Sequence, residues 1–127
     1  MHPTTACHER LTELVFVLSQ LSNDEYSSTL PVLNQSSLSG HTRHVIEFYQ
    51  CLLSQHLTGH VNYDLRQRNV SIEQSVSKAI EEIIILQQSL SNINEDCQLT
   101  LEASFCYDSD ETRGIQTTLY RELVYQL

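Results

Sequence analysis

Apolar residues return at three- and four-residue steps over most of this chain, and each stretch with that period predicts a helix with one buried face. From about Thr5 to Leu21 the stripe is Leu11, Leu14, Val15, Leu18 and Leu21, which makes a first helix. The polar run Ser22-Asn23-Asp24-Glu25-Tyr26-Ser27-Ser28, followed by Pro31, is expected to stop it and open a loop. A second helix should start at Ser36 or Ser37, whose hydroxyl can accept from a free amide of the first turn, and should end at Gly59. Its stripe is Leu38, His41, Val45, Phe48 and Leu52, so a histidine sits within the apolar face. The third helix is expected from Ser71, where Ser71-Ile72-Glu73-Gln74 has the form of a capping box. Ile72, Val76, Ala79, Ile80, Ile83, Leu86, Leu90 and Ile93 then carry one helix over about six turns.

After Asn94-Glu95-Asp96 the period changes to two. Leu99, Leu101, Ala103, Phe105 and Tyr107 alternate with polar or small residues, which predicts a half-buried strand. The run from Asp108 to Gly114 reads as its turn, with Ile115-Gln116-Thr117 returning as a short second strand. A fourth helix begins near Thr117 or Thr118 and aligns Leu119, Leu123 and Leu127 on one face. Bundle helices are normally matched in length, so the fourth helix is expected to be truncated, or its missing cover to come from a second copy in a homodimer. The predicted fold class is all-α: an antiparallel four-helix bundle of up-down-down-up type. A short β-hairpin separates the third and fourth helices, and residues 1–127 form one C-terminally incomplete domain.

Composition sharpens this picture. A chain of 127 residues matches one domain, and three glycines with two prolines leave few breakers for a many-stranded fold. Sixteen acidic residues against seven basic ones give a net charge of -9, which repels a phosphate backbone, so no nucleic-acid partner is expected. The longest apolar stretch, Ile83-Ile84-Ile85-Leu86, is far too short for a membrane span, so no membrane association is expected either. Cys7, Cys51, Cys97 and Cys106 form no C-x-x-C pair and follow no signal peptide. They read as reduced thiols of a cytoplasmic protein, acting as small buried hydrophobes.

Six histidines beside a single lysine raise the question of a metal. His41 and His44 are three apart, and His56 and His60 are four apart. The second pair reads as a favourable partner for the negative end of a helix dipole. His41 lies among Leu38, Val45 and Phe48, so its imidazole is expected to face the bundle centre. There it is either a hydrogen-bonded core histidine or a metal ligand, with His44 the second choice. Asp64, Arg66 and Arg68 alternate within Tyr63-Asp64-Leu65-Arg66-Gln67-Arg68, and in an extended segment they project one way. They form either an anion or substrate site, or a structural brace in which Asp64 meets one arginine and Glu47, Glu73 or a carbonyl meets the other. The brace is preferred. The acidic turn from Asp108 to Glu111 is no calcium loop, since Gly114 falls at the seventh position and no Glu follows at the twelfth. No nucleophile elbow or phosphate-cradling loop is present.

Taken together, the segments Ser37-Leu38-Ser39-Gly40-His41-Thr42-Arg43-His44-Val45-Ile46-Glu47-Phe48, Tyr63 to Arg68, Ile72-Glu73 and Thr118-Leu119-Tyr120-Arg121-Glu122-Leu123 resemble the DinB-like family of metalloenzymes. Order and spacing agree across nearly the whole chain. The resemblance implies a four-helix bundle holding a divalent ion, nickel or zinc, by three histidines. One of these matches His41; the other two would lie four apart soon after Leu123, and none occurs before Leu127. It further implies a small-molecule substrate and a thiol-transferase or hydrolase reaction, with Arg66 or Arg68 near a substrate carboxylate. The competing expectation is a non-catalytic bundle that acts by self-association.

Overall fold

A computed structural model describes residues 2–30, 36–104 and 112–127. Six α-helices dominate the described residues. The first, α1 (Pro3–Leu18), has proline in its first turn, where a missing amide costs nothing, and buries Cys7, Leu11 and Leu18. The polar run expected as a loop instead forms α2 (Asn23–Ser27). Ser22 Oγ accepts from the Glu25 amide at 3.1 Å, and the Ser22 amide donates to Glu25 Oε1 at 3.0 Å. That reciprocal cap sustains a single turn whose one buried residue, Tyr26, anchors it to the core. The third helix, α3 (Leu38–Gln55), starts where the hydroxyl spacing predicts, with Ser37 Oγ accepting from the Gly40 amide at 3.0 Å. A 3-10 turn (His56–Thr58) ends at Gly59, whose φ of 80° is the left-handed conformation that glycine adopts without strain.

The long third helix of the sequence reading is two helices, α4 (Ser71–Gln74) and α5 (Val76–Ser91). Ser75 between them is extended, and its Oγ accepts from the Lys78 amide at 3.3 Å. The Val76 amide donates to Asn23 Oδ1 of α2 at 3.0 Å. The box expected at Ser71 does not form, because the Ser71 hydroxyl donates to Asn69 Oδ1 at 2.5 Å. Ile72 and Val76 are both buried, so the apolar period runs straight through the break and hides it. Ser75→Ala and Asn23→Ala should each lower stability by about 1 kcal/mol, with Ser71→Ala costing less than half of that. Urea midpoints of the three variants check this order.

The two strands expected between the third and fourth helices pair antiparallel but belong to a larger sheet. Strands β1 (Thr29–Leu30) and β2 (Ser36–Ser37) pair antiparallel, and β3 (His60–Val61), β4 (Gln98–Ser104) and β5 (Thr112–Thr118) form a three-stranded sheet in that order. Leu99 faces Thr117 and Leu101 faces Ile115 across the antiparallel β4–β5 pair, while β3 runs parallel to β4 with His60 opposite Thr100. The return strand starts at Thr112, so Gly114 lies within it and not in the turn. Two-residue strands carry no periodic signal, which is why the all-α expectation becomes a mostly helical fold with two small sheets. Pro31, Phe105, Cys106, Tyr107 and the acidic turn from Asp108 to Glu111 lie outside the described residues.

The last helix, α6 (Leu119–Tyr125), is capped by Thr118, whose Oγ1 accepts from the Arg121 amide at 3.1 Å. It buries Leu119, Glu122 and Leu123, whereas Leu127, expected on the same face, is exposed. Contacts run from α1 to α5 and α6, and from α3 to α4 and α5. One core results, holding Leu11, Leu18, Tyr49, Leu52, Ile83, Leu90, Leu99 and Leu123. Among the described residues no helix is long and apolar enough to cross a membrane.

Candidate functional site

The buried face of α3 is offset from the stripe that the apolar residues predict. Ser39, Thr42, Ile46, Glu47, Tyr49, Cys51 and Leu52 face inward, while His41 and His44 are exposed. His41 therefore does not point at the bundle centre. The core side of this helix carries small hydroxyl residues and a tyrosine, which pack where their polar ends find partners, so counting apolar residues misplaces the face. The His44 ring lies 4.4 Å from the Phe48 ring, and Phe48 is stacked on Tyr63 at 4.9 Å. Partial burial lowers the His44 pKa, and the Arg66 charge lowers it further. His41 and His44 line a shallow hollow of about 400 Å³ together with Ser36, Gly40, Arg43 and Glu73.

Beneath that hollow lies a buried cluster of charges. The Glu47 side chain is fully buried and accepts from the Asn69 amide at 2.8 Å. Arg43 Nε approaches one of its oxygens at 3.6 Å and Arg66 Nε the other at 3.8 Å. Arg43 also reaches Glu73 at 3.4 Å. Arg66 donates to the Tyr63 carbonyl at 3.0 Å and places its guanidinium 4.6 Å above the Phe48 ring. At these separations the pairs around Glu47 are ion contacts and not hydrogen bonds, and Arg43 Nε, Arg66 Nε and Glu47 Oε1 have no hydrogen-bond partner. The cluster joins three distant segments: α3, the stretch after β3, and α4.

Of the Asp64, Arg66 and Arg68 array, only Arg66 turns inward as a brace. Tyr63–Leu65 is a 3-10 turn capped by Asn62, and the chain becomes extended only at Arg66, so the three side chains do not share a direction. Asp64 and Arg68 are exposed, and neither forms an ion pair among the described residues. Arg68 instead borders a cleft of about 520 Å³ with Arg66, Gln50, Cys51 and Glu82. His56 Nδ1 lies 2.8 Å from the Leu53 carbonyl at the helix end, and His60 Nδ1 lies 3.3 Å from Glu102. Cys7 and Cys51 are buried and Cys97 half-buried; burial pushes all three thiols up, away from nucleophilic thiolates.

Glu122 is the residue whose role the sequence did not disclose. It is 3% exposed, accepts from the Tyr63 hydroxyl at 3.0 Å, and its other oxygen accepts from Thr117 Oγ1 at 2.9 Å. Gln126 Nε2 lies 3.4 Å from the Tyr63 hydroxyl. The signal was its place three residues after Leu119 and one before Leu123, which puts a carboxylate beside the apolar stripe of α6. Among the described residues no three His, Cys, Asp or Glu side chains converge as a metal site. Of the three histidines the resemblance implies, the described residues thus provide only His41, with His44 beside it as the second choice, and they alone do not fit that site. No family model, curated protein or solved structure matches this chain.

Proposed function

We propose that this chain is a DinB-like protein of four-helix-bundle type whose functional end is the hollow beside His41 and His44. The observation that carries this reading is the buried Glu47 cluster. Arg43 and Glu47 come from the first block of the resemblance, Arg66 from the second and Glu73 from the third, and all four meet around one carboxylate. Residues with that spacing in sequence would have no reason to meet unless the blocks formed one structural unit. The cluster stiffens the start of α3, so His41 and His44 are held beside each other at the rim. Partial burial and the Arg66 charge lower the His44 pKa, which favours the neutral imidazole that binds metal ions.

On this reading the hollow takes a divalent ion, nickel or zinc, with His41 as a ligand and His44 as the second choice. The reaction class is thiol transfer or hydrolysis on a small molecule in the cytoplasm, with no nucleic-acid partner. A second reading, self-association as a homodimer without catalysis, is favoured by the apolar side chains that α1, α5 and α6 leave exposed: Phe16, Val17, Ile84, Ile85 and Val124.

Elemental analysis of the chain eluting from a calibrated sizing column tests both. The metal reading expects nickel or zinc retained in stoichiometric amount, reduced about tenfold or more in His41→Ala. Retained metal that is indifferent to His41→Ala and His44→Ala would remove both histidines from the site. A metal-free dimer unaffected by either variant would leave self-association.

A further inference from the structure

Val45 and Phe48 of α3, Tyr63, and Glu122, Tyr125 and Gln126 of α6 line an open groove of about 390 Å³, with His44 at its border. Its composition is unusual: aromatic rings around one buried carboxylate. Both carboxyl oxygens of Glu122 lie within hydrogen-bond distance of hydroxyls, Tyr63 at 3.0 Å and Thr117 at 2.9 Å. Burial pushes the Tyr63 phenol up, and the Glu122 charge beside it pushes it further. Yet among the described residues no arginine, lysine or histidine pairs with Glu122. Buried charges are ordinarily paired, and two hydroxyls supply hydrogen bonds without a counter-charge.

We propose that this groove takes the ammonium group of a small organic amine, with Glu122 as counter-charge and Tyr63 and Tyr125 as aromatic walls. A cation gains from the negative face of an aromatic ring and from a desolvated carboxylate together, and an uncharged apolar ligand gains from neither. The net charge of -9 draws cations towards the chain and disfavours the alternative of an anion in the Arg68 cleft. Arg66, whose guanidinium lies 4.6 Å from the Phe48 ring, is offset by Glu47. The site uses no metal and shares only His44 with the hollow at His41.

Choline and its uncharged carbon analogue 3,3-dimethyl-1-butanol are the probes, titrated calorimetrically into the 127-residue chain at low ionic strength with a chelator present. Choline should bind saturably, at least about tenfold more tightly than the alcohol. Glu122→Gln, which keeps an acceptor for Tyr63 and removes the charge, should weaken choline about tenfold. Tyr125 is 70% exposed, so Tyr125→Ala leaves the fold intact and should weaken choline about threefold, which keeps the test decisive if Glu122→Gln unfolds. Equal binding of the two probes, no saturable choline signal, or indifference to Tyr125→Ala would each overturn the assignment.

Discussion

Glu47→Gln is expected to destabilise the chain by about 3–5 kcal/mol, because it leaves Arg66 beside a buried position that no longer carries charge and Arg43 with Glu73 alone. The amide is nearly isosteric and still accepts from the Asn69 amide, so the loss is electrostatic and not a packing defect. Arg43 retains Glu73, but Arg66, with a side chain only 11% exposed, keeps only the Tyr63 carbonyl and the Phe48 ring. A loss of that size approaches the whole margin of a small domain. Adding Arg66→Met to Glu47→Gln should recover part of it, since the second change removes the stranded charge while filling similar volume. Urea unfolding of the single and double variants measures both effects. A cost below about 1 kcal/mol for Glu47→Gln would mean that water reaches the cluster and screens it.

Alkaline pH should unfold the chain through its buried phenols. Tyr26 is fully buried and donates to the Ile72 carbonyl at 2.6 Å, and burial pushes its pKa up to about 12. Burial raises Tyr49 and Tyr63 as well. A pKa raised in the folded state means that the unfolded chain releases the proton first. The contribution to stability is therefore complete below the ordinary tyrosine value of about 10 and is lost as pH rises through the folded value. For Tyr26 the loss amounts to roughly 2–3 kcal/mol by about pH 12, with Tyr49 and Tyr63 adding in the same direction. The part of the tyrosinate absorbance contributed by these buried phenols should rise together with the loss of helical circular dichroism above about pH 10. Ionisation of these phenols with the helices intact would show that they are open to solvent.

The parts of the fold that were legible in the sequence are those whose signal is local. Ser37 and Thr118 cap their helices as their positions predict, because a hydroxyl facing free amides acts within one turn. The alternation around Leu99 and Leu101 correctly marks a strand, since a period of two survives any tertiary context. The break at Ser75 was not legible, because Asn23, more than fifty residues away, helps to cap it. The strand β3 was invisible for the same reason: only its partner β4 makes two residues a strand.

At the candidate sites the division is similar. The residue types that matter, His41, His44, Asp64, Arg66 and Arg68, stand out from their neighbours in the sequence, yet their directions do not. Thr42 and Tyr49 take the buried face of α3 and leave His41 outside, because the core accepts any side chain whose polar end is satisfied. The 3-10 turn sets Asp64 apart from the two arginines, and of these Arg66 turns inward to Glu47 while Arg68 is exposed. The sequence by itself determined where α3 and α6 begin, that the stretch around Leu99 alternates as a strand, and which residues carry charge, all properties of contacts a few residues apart. Only the tertiary structure decided that Glu47 gathers Arg43 and Arg66, and that Glu122 is buried beside Tyr63 without a cation. Those pairings depend on the mutual placement of elements distant in the chain, which spacing along it does not encode.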